Sequence, residues 1–134
     1  MNSRHDILFE AAGFNATEPR EYFLNDCCFG DDVALWLKTE LTSRGHPTTE
    51  PCQEDWGWHV ETTIGQDRYF IGVGCSGPSH ADSIRAEWRL IVEKCRTVWE
   101  KLTGQNRLGE GNAVFGVLVD ILSANPDVSA VRRD

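Results

Sequence analysis

Two carboxylates and a histidine stand close together at residues 54–59, where they could form an acid–base pair or part of a metal site. Glu54 and Asp55 precede His59, and in an extended chain Asp55 and His59 share a face because strand side chains alternate. General-base catalysis needs a tuned pKa in a cleft, and a metal site needs at least three converging ligands. His46, His80 and the cysteines could complete such a set, but none stands at a recognisable ligand spacing. We therefore predict no catalytic residue, no metal ligand and no cofactor.

Residues 72–77 match the G-x-G-x-x-G fingerprint of dinucleotide-binding proteins. The fingerprint requires its glycines at a strand-to-helix turn, so that the pyrophosphate sits on helix amides. Here Gly72 and Gly74 fall inside a strand-like pattern, and Pro78 follows the third glycine. We predict instead that the glycines relieve crowding opposite the indoles of Trp56 and Trp58.

The balance of charge limits the classes of partner. The chain has 134 residues and a mass of 15.1 kDa, which predicts a single domain over residues 1–134. Lys and Arg number 13 against 21 Asp and Glu, a net charge of -8. Nucleic acid and anionic membranes bind clustered cations, so we predict neither as a partner. The apolar stretch at residues 113–119 is also much shorter than the about 20 residues that span a bilayer.

The cysteines and the start of the chain predict the compartment. No apolar segment follows the basic start of the chain, so the sequence predicts no secretory signal. The cysteines are odd in number and include no C-x-x-C pair, so we expect reduced, mostly buried thiols in a cytoplasmic protein. They are Cys27, Cys28, Cys52, Cys75 and Cys95.

Five tryptophans are many for a chain of this length, so at least one indole is expected to reach the surface. An exposed indole among carboxylates suits a basic protein partner, as in an inhibitor or immunity-type protein. The predicted partner-binding residues are Glu54, Asp55, Trp56, His59 and Glu61. The same residues are equally compatible with a solvated acidic surface above buried indoles. The alternative function is a small enzyme or ligand-binding domain with a pocket near Asp55, His59 and the strand of Gly72 and Gly74.

Periodicity predicts a first helix over residues 32–44 and a hairpin over residues 53–75. Asp31 or Asp32 is expected to cap the helix, and Gly45 to end it. In the hairpin, apolar side chains alternate on both sides of a turn at residues 65–67, with Trp56 and Trp58 on the inward face. Short strands at residues 7–9 and 22–24 are also predicted. The apolar stripe of the helix predicted at residues 32–44 consists of Val33, Trp36, Leu37 and Leu41.

The segment from residue 83 to residue 104 fits two interpretations. Its apolar residues match a single amphipathic helix. They also match a third strand followed by a short helix at residues 97–102, and a third strand would stabilise a hairpin that is marginal alone.

Three motifs resemble those of a group of small, uncharacterised bacterial proteins. Cys-Phe-Gly-Asp-Asp occupies residues 28–32, Glu-Asp-Trp-Gly-Trp residues 54–58, and Glu-Trp and Val-Glu-Lys residues 87–88 and 92–94. The resemblance covers residues 20–104 and brings no known activity. It implies an α+β fold in which residues 86–94 form a strand. With this we predict a small antiparallel sheet of three to four strands, packed against two main helices.

The second main helix is predicted at residues 112–124, before Pro126. It is apolar nearly all round, and such a helix is either fully buried or shared with a partner. If the sheet covers the side of Phe115, then Ala113 and Val117 lie near solvent, and a homodimer through this helix would cover them. The competing explanation is that residues 1–30 fold over the same face.

The thiol interpretation predicts five free cysteines. Mass spectrometry of the denatured, alkylated protein should find every cysteine modified without prior reduction. A cysteine that is alkylated only after reduction would reveal a disulfide and contradict the predicted compartment.

Overall fold

The computed structural model describes residues 5–25, 28–78, 85–109 and 111–134. Its strands form one antiparallel sheet. His80, considered above as a possible ligand, and Cys27, one of the five predicted free thiols, lie outside the described residues. Within them the sheet has six strands in the order β2-β3-β4-β5-β1-β6. The strands are β1 (Ile7–Ala11), β2 (Cys52–Glu54), β3 (Gly57–Ile64), β4 (Asp67–Pro78), β5 (Ala86–Lys94) and β6 (Val128–Arg133).

One face of the sheet, called here the inner face, carries the core. Alternate strand positions turn apolar side chains to this face, including the fully buried Phe9, Ile71 and Trp88. Two helices, α1 (Asp31–Ser43) and α3 (Ala113–Ala124), contribute to the same core cluster. The opposite face, called the outer face, is mostly polar. The fold is therefore α+β, as predicted.

The sheet has more strands than the three to four predicted. Strand β2 has only three residues and follows Pro51, so it shows no period of its own. Strand β6 is irregular, because Ala130 has a φ of 53° and its pairing with β1 shifts register between Leu8 and Glu10. Neither strand shows the regular alternation on which sequence prediction depends.

Most of the other predicted helices and strands are present in the structure. The two main helices are confirmed to within one residue at each end, and the hairpin is confirmed, although β3 begins only at Gly57 and β4 extends to Pro78. Residues 86–94 form β5, so the interpretation as a strand plus a short helix is confirmed, and the strand near residues 7–9 is β1. The strand at residues 22–24 is wrong. Tyr22 and Phe23 lie in an irregular segment and pack edge-on against Trp58.

The cap of α1 differs from the prediction. Its N-cap is Gly30, with a φ of 121°, and neither Asp31 nor Asp32 caps the helix. A Cβ atom at Gly30 would lie 3.0 Å from Cγ1 of Val73, so the close approach to the sheet favours glycine there. Asp32 instead accepts a hydrogen bond of 2.8 Å from the backbone N–H of Asn15. Burial raises the pKa of the Asp32 carboxyl.

The short helix α2 (Val98–Thr103) projects from the end of β5 without any buried side chain. It is stabilised locally: Thr97 and Glu100 form a reciprocal capping box, and Gly104 ends the helix in the left-handed conformation. Its three large apolar side chains, Val98, Trp99 and Leu102, are exposed.

The exposed side of α3 is smaller than the sequence suggested. Val117 and Val119 pack against the core, and the exposed positions include Ala113, Gly116 and Asp120. The dimer through residues 112–124 stays a prediction, without a large apolar patch on this helix to support it. Among the described residues, no helix has the length and apolar character needed to cross a membrane.

A steric constraint at Gly57 gives a test of the fold. Gly57 has a φ of 156°, and a Cβ atom there would lie 2.1 Å from the carbonyl oxygen of Val73. We expect Gly57→Ala to lower the free energy of unfolding by about 2–4 kcal/mol in urea titrations, through strain and overpacking. The matched control is Gly74→Ala, because a Cβ atom at Gly74 has no heavy atom within 4 Å. It should change stability by less than about 1 kcal/mol. Equal losses in the two variants would contradict the register.

Candidate functional site

Three possible metal ligands meet at the edge of the outer face. Cys52 of β2 pairs directly with His59 of β3, and Glu54 lies two residues further along β2 on the same face. One ligand atom from each residue lies within 4.8 Å of the others. No metal ligand set was predicted from the sequence, because Cys52 does not stand at a recognisable ligand spacing from His59. The pairing has no signal in the sequence, because β2 has only three residues and its register opposite His59 is set by hydrogen bonds to β3.

His59 is held in a defined orientation. Its ring stacks on Phe70 of β4, with ring centroids 4.6 Å apart and planes inclined by 25°. Its Nδ1 atom is shielded from solvent and lies 3.0 Å from Oε1 of Glu54. The carboxylate that reaches His59 is therefore that of Glu54. Asp55 lies in the turn before β3, so the prediction that Asp55 and His59 share a strand face is wrong.

Trp56 lies elsewhere than predicted. It is in the turn between β2 and β3, not on β3, and its indole rests on the outer face, whereas Trp58 faces inward. A Cβ atom at Gly72 would lie 2.6 Å from Cη2 of Trp56, so the glycine makes room for the indole, as expected. The room above Gly74 is open, so its predicted role opposite an indole is wrong. The Trp56 side chain is 42% exposed.

The other two predicted acidic residues have different surroundings. Asp55 is exposed in the same turn as Trp56, and its carboxylate forms no ion pair with any residue that the structure describes. Glu61 lies on the outer face beyond His59, where its carboxylate pairs with Arg68 at 2.6 Å. Of the five predicted partner-binding residues, Trp56 and His59 therefore both pack on Phe70 of β4, Glu54 contacts His59, and Glu61 is paired with Arg68.

The segment before α1 anchors the edge strand from the inner side. The side chain of Gln53 accepts a hydrogen bond from the Leu24 N–H at 2.7 Å and donates one to the Tyr22 carbonyl at 2.9 Å. The Cys28 thiol lies 3.2 Å from the carbonyl oxygen of Glu54 as a hydrogen-bond donor. Because Gln53 is bound on the inner side, its neighbours Cys52 and Glu54 face outward.

The thiols are less buried than predicted. Cys28 is buried, Cys75 is half-buried, and both Cys52 and Cys95 are exposed, all four as free cysteines. Burial raises the pKa of the Cys95 thiol, and the negative charge of Glu61 raises it further. Cys95 follows β5, and its thiol lies 3.9 Å from Oε1 of Glu61.

Comparison of the chain with protein-family models, with curated proteins and with solved structures gives no match. The resemblance to small bacterial proteins therefore stays a prediction. The function has to be argued from the site.

The contact between Cys95 and Glu61 gives a pH-dependent test. In Glu61→Gln the carboxylate charge is removed, and Arg68, which lowers the pKa of this thiol, loses its partner. Both changes favour the thiolate, so Cys95 should react faster with iodoacetamide at pH 8, and its pH profile should move to lower pH. Peptide mapping by mass spectrometry measures the rate, with Cys52 in the same digest as the reference. A slower reaction of Cys95 in the variant would contradict the assignment.

Proposed function

We propose that the protein is a cytoplasmic, non-enzymatic binding module of the inhibitor or immunity type. It would bind a basic protein partner through the surface formed by Glu54, Asp55, Trp56, His59 and Glu61, called here the Trp56 surface. The observation that carries the proposal is the position of the Trp56 indole, which is partly exposed yet held on the sheet.

The indole of Trp56 is supported from below and from one side. Gly72 leaves room for it, and its ring centroid lies 6.4 Å from that of Phe70. Tryptophan is among the residues that contribute most to binding energy at protein interfaces. A side chain already fixed in place loses little conformational entropy on binding, which leaves more of the contact energy as affinity.

The charges on this surface favour a basic partner. Asp55 is exposed beside Trp56, and the side chain of Glu54 is 38% exposed. The chain as a whole has a net charge of -8, so a cationic protein is attracted from a distance. Because Glu61 is paired with Arg68, we expect Asp55 and Glu54 to contribute more to the attraction than Glu61.

The alternative function requires a pocket that Asp55 and His59 line above Gly72 and Gly74. The indole of Trp56 fills the room above Gly72, and Asp55 is not the carboxylate that reaches His59. These two observations favour a binding surface over a pocket in this part of the sheet.

The test compares two exposed tryptophans. The wild-type protein is immobilised, proteins are captured from the native cell, and the affinity of each purified candidate is measured at low and high salt. For a true partner, Trp56→Ala should weaken binding about 30-fold, which corresponds to about 2 kcal/mol. Asp55→Lys should mainly slow association, and high salt should weaken the wild-type complex.

The control is Trp99→Ala on α2, because Trp99 is 68% exposed but does not belong to the Trp56 surface. This variant should bind every true partner with wild-type affinity. A partner lost with Trp99 but not with Trp56, or one whose binding does not depend on salt, would contradict the proposal.

A further inference from the structure

We propose that Cys52, Glu54 and His59 bind one transition-metal ion of the Zn²⁺ class at the β2 edge of the sheet. A thiolate, an imidazole and a carboxylate are the three donor types that Zn²⁺ takes in proteins. The thiolate selects against Mg²⁺ and Ca²⁺, which prefer oxygen ligands. The inference goes beyond the proposed function, since it needs no protein partner.

The strand pairing brings the donors together before any ion binds. Cys52 and His59 are directly opposite each other, and Glu54 shares the face of Cys52. In a tetrahedral zinc site each donor lies about 2.0–2.3 Å from the ion, so neighbouring donors are about 3.3–3.8 Å apart. The three donor atoms here are within 4.8 Å of one another, so small side-chain rotations of Cys52 and Glu54 would complete the site.

The contact between His59 and Glu54 brings two metal donors, a ring nitrogen and a carboxylate oxygen, to 3.0 Å from each other. Nδ1 of a neutral imidazole that carries its proton on Nε2 is an acceptor, and the Glu54 carboxylate is also an acceptor. Two acceptors at 3.0 Å repel each other unless a proton or a metal ion lies between them. A metal ion can lie between the two acceptors in the same way, and because Cys52 ligates as a thiolate, metal binding should release the thiol proton into solution.

The surroundings of the three residues suit a bound ion. Phe70 fixes the His59 ring by stacking, and the side chain of His59 is only 16% exposed. Gln53 anchors β2 to the backbone of Tyr22 and Leu24, so the edge strand does not need the ion to keep its register. Three protein ligands leave a fourth position, which water or an external group can occupy.

The test titrates the reduced, full-length protein with ZnCl₂ and with CoCl₂. Calorimetry in buffers of different ionisation enthalpy should give one Zn²⁺ per chain and a release of protons. Co²⁺ should produce the absorption of a thiolate-to-metal transition. Cys52→Ser should remove this absorption. Both Cys52→Ser and Glu54→Gln should weaken Zn²⁺ binding at least about tenfold, because the loss of even a residue that only hydrogen-bonds to a metal ligand lowers metal affinity about 10–100-fold.

Two controls make the result specific. Cys95→Ser removes the second exposed thiol among the described residues, which lies 3.9 Å from the Glu61 carboxylate, and should leave the affinity and the Co²⁺ absorption unchanged. Asp55→Lys weakens the proposed protein interaction but removes no ligand, so it should weaken Zn²⁺ binding by less than about fivefold, the range of an exposed charge interaction. Co²⁺ absorption that persists in Cys52→Ser would overturn the inference. Wild-type affinity for Zn²⁺ no greater than that of Cys52→Ser would also overturn it. Neither result would bear on the proposed function.

Discussion

The close approach of the Gly57 backbone to the carbonyl oxygen of Val73 is the constraint on which the outer face depends. No side chain fits between these two groups, since even a Cβ atom would lie 2.1 Å from the oxygen. The contact allows β3 to begin directly after the turn at residues 55–56 and to pair with β2 on one side and β4 on the other. The opposition of Cys52 and His59, and the place of Trp56 above Gly72, follow from that register.

The inner face of the sheet holds the hydrophobic core, whereas the outer face carries the polar and reactive side chains. The inner face buries apolar side chains under α1 and α3, with Trp88 fully buried near the middle. On the outer face, the charges at the β1 and β6 side neutralise one another. Arg89 bridges Asp6 at 2.6 Å and Asp134 at 2.8 Å, and Arg132 pairs with Glu87 at 2.7 Å. The exposed thiol of Cys52, the exposed carboxylate of Asp55 and the partly exposed indole of Trp56 are instead near β2, at the opposite edge of the sheet.

An edge strand that carries functional groups has to be held in register without a neighbour on its outer side. Here the anchoring comes from a segment about thirty residues earlier in the chain. The side chain of Gln53 binds the backbone of Tyr22 and Leu24, and the Nε1 atom of Trp58 donates to the carbonyl of Cys28 at 2.8 Å. The irregular segment before α1 therefore positions the site, although it contributes none of the groups in the Trp56 surface or in the Cys52–Glu54–His59 cluster.

The amino-acid sequence by itself determined the elements whose signals are local. The apolar stripe of α1, the stop at Gly45 and the turn after Ile64 depend on neighbours a few residues apart, and the structure has all three. The sequence also indicated Glu54, Asp55, Trp56, His59 and Glu61 as candidate partner-binding residues. Tertiary structure alone decided that Trp56 lies on the outer face, that Cys52 joins the other two ligands, and that β6 completes the sheet. Strand β2, which carries Cys52 and Glu54, has only three residues and therefore no hydrophobic period. Its existence and register depend on hydrogen bonds to distant parts of the chain.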